Sequence, residues 1–350
     1  MENKNIDNNV ENEEKKKGLL VAKDKQKKHK KRLGLLLLLL LFTGVMLGTS
    51  TYAWFTANKT VNVNKIQVNV AAQNGIQISV DGTTWKSIIQ TEDIKNASAK
   101  YAAAVNQVPD SIEPVSTVGA IDANGLMEMF YGEVKTNADG DYILTAEKTT
   151  EANGTEGKFV AFDLFFKVTS ATKTYLTTAS GVTADENDTG IKNASRIAFV
   201  TLGNTATGTV LSEVQALNAG TSSVVGIWEP NYDVHTAAAV THAYDTYAIE
   251  TQETGATQIA YDGTKAAITE ENNVKVGEAN STKYADYFGA TTMAYSTVEG
   301  FTDKFEFLSL QAGITKVRIY MWIEGQDVDC EDNASGGNII YNLQITTEEN

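Results

Sequence analysis

One cysteine, three histidines and three prolines are all that this 350-residue chain contains of those types. A lone Cys330 excludes an intramolecular disulfide and any zinc site built from paired cysteines, so packing must hold the fold. The residues around Cys330 are acidic, and acids raise a thiol pKa, which argues against an activated nucleophile. The histidines are His29, His235 and His242, and "HTAAAVTH" places the last two seven apart with no glutamate between them. A zinc-protease helix needs two histidines four apart with a glutamate as base. The prolines, Pro109, Pro114 and Pro230, mark no linker. A Gly-x-Ser-x-Gly elbow and a phosphate-cradling glycine loop are missing too. The chain reads as a non-enzyme with no organic cofactor.

Basic residues are scarce in the body of the chain. Residues 1–53 hold 11 Lys and Arg against 6 Asp and Glu, leaving 18 against 38 in residues 54–350, a net charge of −20. Such a body repels nucleic acid and anionic membranes and favours cations or basic partners. Hydrophobic residues make up 42% of the chain, enough for a substantial core.

What the sequence does have is a marked amino-terminal organisation. Residues 1–32 are polar and end in "KDKQKKHKKR", a basic cytoplasmic leader. The apolar run "LGLLLLLLLFTGVMLG", Leu33 to Gly48, is 16 residues long. At about 1.5 Å per residue it reaches roughly 24 Å, short of the ~30 Å hydrocarbon core. Thr51 and Ala53 then place small side chains three and one positions before a cut ahead of Trp54, as signal peptidase requires. Residues 33–53 read first as a cleaved signal region, so that the membrane is met only before cleavage. The other reading is a retained anchor with Tyr52, Trp54 and Phe55 at the interface.

The stretch "LLLLLFTGVMLGTSTYAWFTANKTVNVNKI" resembles the signal region of proteins processed by SipW-type signal peptidases, the group that includes the TasA and camelysin biofilm-matrix proteins. Thr51, Tyr52, Ala53, Trp54, Phe55 and Thr56 carry the pattern. The resemblance is confined mainly to residues 33–66. It implies export, a signal peptidase as transient partner, and a secreted or cell-surface protein of the matrix. Camelysin-like proteins have also been classed with metalloproteases, an activity that no motif here supports.

Downstream, period-two alternation dominates. Val61, Val63, Ile66, Val68 and Val70 alternate with polar residues except for one slip near Asn64 and Lys65, which predicts a strand with a bulge. "GIQISVDGTTWKSI" predicts a hairpin turning at Asp81-Gly82. It resembles the Asp-box turn of sialidases, a structural element, with one residue missing. "KFVAFDLFFKV" places Val160, Phe162, Leu164, Phe166 and Val168 on one core face, with the other face at least half covered. "RIAFVTLG" predicts a central strand. Residues 317–324 and 339–345 are expected to pair with each other. Helices are expected over 91–105 and 211–220, the second closed by Gly220. Residues 204–300 read as a loop-rich insertion. These patterns give an all-β fold with minor helices, a jelly-roll-like β-sandwich over residues 54–350.

Two groups of residues stand out as sites. Trp54, Phe55, Val61, Val63, Ile66, Val68 and Val70 form an extended segment suited to filling a neighbour's open sheet edge, which points to self-assembly or to joining other matrix proteins. "EGQDVDCEDNASGG" spaces Asp327, Asp329, Glu331 and Asp332 like the opening of a Ca²⁺ loop, though Asp332 and Asn338 stand where the turn glycine and bidentate glutamate belong. Its plainer reading is a solvated hairpin loop, and His235 and His242 read as ordinary loop histidines. The tyrosine-rich "NYDVHTAAAVTHAYDTYAIE" motivates a second functional reading, an adhesin for glycan or protein. The closing "TTEEN" has no Leu-Pro-x-Thr-Gly signal, so sortase attachment is not expected.

Overall fold

The computed structural model describes residues 63–232, 234–247, 250–254, 263–275, 285–291, 293–295, 305–330 and 337–347. Thr51, Ala53, Trp54, Phe55, Val61, Glu331 and Asp332 lie outside them, as do the leader and the apolar run. Among the described residues no helix is long and apolar enough to cross a membrane.

The chain is all-β with minor helices, and its strands, numbered β1 to β18 in chain order, form two main sheets. The first runs β16 (Phe305–Leu310), β8 (Thr172–Leu176), β18 (Gly337–Thr347), β1 (Val63–Ala72), β3 (Ile88–Gln90), with β9 (Gly181–Ala184) also on β18. The second runs β15 (Met293–Tyr295), β11 (Val224–Glu229), β10 (Ser195–Thr205), β17 (Gly313–Ile323), β7 (Val160–Val168), β2 (Gln77–Ser79), with β4 (Asn106–Gln107) also on β7. Two satellites complete it: β13 (Val274–Lys275), β6 (Tyr142–Thr149) and β5 (Met129–Thr136) in one, β12 (Gly263–Thr264) and β14 (Phe288–Gly289) in the other.

The two main sheets share one core. Val70, Leu176, Tyr341 and Leu343 of the first cluster with Phe162, Ile197, Phe199 and Ile319 of the second, all essentially inaccessible to water. Each such side chain contributes roughly 1.5–3 kcal/mol on burial. The second sheet is covered on its other face as well, where Phe159, Ala161, Tyr320 and Trp322 pack under Met127, Met129 and Tyr131. Two buried faces explain why β7 and β10 read as almost unbroken apolar runs. Polar residues on that covered face are paired: Arg318 Nε donates to Asp163 Oδ1 at 2.8 Å, directly across the β17–β7 ladder.

Several local expectations are met. The register of β1 against β18 shifts between Val63 and Lys65, where the alternation slips. The Asp81-Gly82 turn brings Lys86 back to bridge Ile78, with Gly82 at φ +76°, a region glycine enters without strain. The Asp81 carboxylate ties this turn, accepting from Thr83 N at 2.7 Å, Thr84 N at 2.6 Å and Ser79 Oγ at 2.8 Å.

Others are corrected. β17 and β18 do not pair with each other: β17 lies between β10 and β7, and β18 between β8 and β1. Each has an apolar face to bury, and packing face to face across the core satisfies both. The helix expected over 91–105 is a single turn, α1 (Thr91–Lys95), ended where Asn96 Nδ2 turns back onto Glu92 O at 3.0 Å. That expected over 211–220 is α2 (Leu211–Gln215), and Gly220 begins a separate 3₁₀ turn. The region 204–300 is less loop-like than its composition suggests, since it supplies β11, with Ile227 and Trp228 buried, and an eleven-residue helix, α3 (Ala237–Tyr247).

A buried histidine and carboxylate cluster

The register of the second sheet gathers charge at one of its ends. β10 begins with Ser195 and Arg196, β11 ends at Glu229, and β17 is followed directly by Glu324. Because Arg196 pairs in register with Trp322 and Ile197 with Trp228, these three charged residues arrive together. Arg196 Nη1 lies 3.1 Å from Glu324 Oε2, and Arg196 Nε lies 3.8 Å from Glu229 Oε1. Glu324 also accepts from Trp322 Nε1 at 3.0 Å and from Gln326 N at 3.1 Å.

From Glu324 the chain turns twice in succession, Asp327 N donating to Glu324 O at 3.1 Å and Cys330 N to Asp327 O at 3.0 Å. The turns carry Asp327 and Asp329 inward, and Asp327 Oδ1 accepts from Asp329 N at 2.9 Å. Glu229 is near enough to Asp327 for the two carboxyls to repel, at the point where the turn meets the sheet end. Val328, between the two acids, is buried in a smaller apolar cluster that also contains Ala243 of α3. The start of that helix meets the turn through Asp329. Asp329 Oδ2 lies 2.7 Å from His235 Nδ1, and Asp329 Oδ1 accepts from Thr236 N at 2.9 Å. Thr236 in turn caps α3, its Oγ1 accepting from Ala239 N at 3.0 Å.

All six groups are buried: Arg196, Glu324 and Asp329 almost completely and, only slightly less so, Glu229, His235 and Asp327. Burial pushes Glu229 well above the usual carboxylate range, against the pull of Arg196 and with the added repulsion of Asp327 and Glu324. Burial raises Glu324 to about 7 despite Arg196, and Asp329 to about 6 despite its bond to His235. Carboxylates this far from water ionise only where a cation or a donor compensates them.

The structure therefore unites Asp327 and Asp329 but not as a solvated hairpin loop, and Glu331 and Asp332 lie outside the described residues. His235 is not an ordinary loop histidine but a member of the cluster. His235, Arg196, Glu229 and Glu324 were not read as site residues. The only sequence signal was negative: an Arg and a Glu standing at the ends of otherwise apolar strands. Of the expected assembly segment, residues 63–70 fall in β1, laid parallel to β18 within the chain's own sheet. No family model, curated protein or solved structure matches this chain.

Proposed function

We propose that the protein is an exported structural protein of the cell surface or matrix, whose amino-terminal strand joins one copy to the next. The observation carrying this reading is the pairing of β1. One edge of β1 is taken by β18 along Val63–Ala72, whereas β3 covers only Asn69–Ala71 of the other. Among the described residues no strand pairs with that second edge over 63–68. An open backbone edge accepts a further strand, whose hydrogen bonds supply affinity and whose side chains set register. The segment 54–62, just upstream, is the strand that a neighbouring copy would receive, freed when signal peptidase cuts ahead of Trp54. Such a role needs no catalytic group and no cofactor.

The test combines the mature amino terminus, by mass spectrometry, with electron microscopy. A start at Trp54, filaments from the exported chain, and their loss on deleting residues 54–62 are expected. Undiminished filaments from that deletion would overturn the reading. The deletion spares β1 itself, and an unchanged unfolding midpoint of the deleted chain separates lost assembly from lost folding. A second reading, an adhesin, draws on Tyr244, 53% exposed on α3. Saturable glycan binding by a monomer, weakened by Tyr244→Ala, would favour it instead.

A further inference from the structure

The cluster at the end of the second sheet gathers more carboxyl groups than cationic partners. Four carboxylates, Glu229, Glu324, Asp327 and Asp329, are buried with one guanidinium, Arg196, and one imidazole, His235. Buried ions persist when they are paired, take up protons or coordinate a metal. We propose that His235, Asp327 and Asp329 hold one divalent cation of the zinc or manganese type. The site is structural, tying α3 to the turn after β17.

Geometry carries this first. One ligand atom from each of His235, Asp327 and Asp329 lies within 4.8 Å of the other two. Ligand atoms around an ion at about 2.1 Å stand about 3–4.4 Å apart, so the three lie close to ligating separation. The donors are one nitrogen and several carboxylate oxygens. That mixture suits zinc or manganese, whereas calcium takes oxygen alone.

A second observation is independent of the acids. Gln326, one residue before Asp327, is 1% exposed, and its Nε2 has no hydrogen-bond partner among the described residues. A buried amide left in this way marks a turn whose polar groups the described neighbours do not fully satisfy. Backbone bonds meanwhile hold the histidine in place: His235 N donates to Glu253 O at 3.0 Å, and the next residue is fixed to Asp329.

The test uses the full chain after chelator treatment, dialysed separately against Zn²⁺, Mn²⁺ and Ca²⁺, with bound metal measured by mass spectrometry. One Zn²⁺ or Mn²⁺ per chain is expected, with a raised midpoint of thermal unfolding. His235→Gln and Asp327→Asn should each weaken binding at least about tenfold. Should either variant fail to fold, the wild-type stoichiometry and midpoint shift decide alone. Retention of Ca²⁺ in preference to the other two, no midpoint shift with any ion, or unchanged binding by folded His235→Gln would overturn the proposal.

Discussion

His235 Nδ1 and Asp329 Oδ2 meet at 2.7 Å although 94 residues separate them. Asp329 also accepts the Thr236 amide, so one carboxylate positions both the histidine and the capped start of α3. Asp329→Ala leaves a buried imidazole and an amide without their acceptor and should destabilise by about 3–5 kcal/mol. Asp329→Asn keeps an acceptor for the amide and should lose less. Urea unfolding of the metal-free chain measures both.

Asp163 is the counterpart on the covered face of the second sheet. Its Oδ1 takes Arg318 Nε at 2.8 Å, and its Oδ2 faces Lys316 Nζ at 3.4 Å. Asp163→Ala strands two buried cations and should cost about 3–5 kcal/mol. Removing the arginine as well, in Asp163→Ala with Arg318→Met, should restore part of that loss. A double-mutant cycle in urea reports the coupling.

The Asp81 turn should show in the acid limb of stability. Burial pushes its carboxyl up, but the amides of Thr84 and Thr83 and the hydroxyls of Ser79 and Thr84 pull it further down, leaving it well below the usual range. A depressed carboxyl stabilises while ionised, so the contribution is complete above the unfolded value of about 3.9. It declines as pH falls below that value and vanishes only where the folded carboxyl protonates. Asp81→Asn should therefore lose stability at neutral pH by about 1.5–3 kcal/mol and show a shallower acid decline. Unfolding midpoints across the acid range check the slope.

Across the sandwich, volume should outweigh polarity. Tyr341 of β18 reaches Ser195 Oγ of β10 through a long 3.4 Å bond, so Tyr341→Phe should cost about 1 kcal/mol or less. Phe199 on β10, 1% exposed and packed on Phe307 at 4.6 Å between ring centroids, should cost about 3–5 kcal/mol as Phe199→Ala. The two unfolding curves compare directly.

Much of the fold was legible because alternation is a local signal. The β1 bulge near Asn64, the Asp81 turn, and the double-faced burial of β7 and β10 each follow from a few neighbouring residues. α3 was not legible in the same way, since its alanines and threonines give only a weak apolar stripe, and its start is fixed by Asp329 from far along the chain.

By itself the sequence determined the strand content, the turns and the placement of apolar faces, because side-chain period and turn chemistry act over a handful of residues. Only the tertiary structure decided which sheet each of the two long terminal strands joins, and that His235, Glu229 and Arg196 share one buried pocket with Asp327 and Asp329. Strand partners and charge clusters depend on registers between distant segments, and burial, which turns scattered acids into a site, is a property of the packed whole.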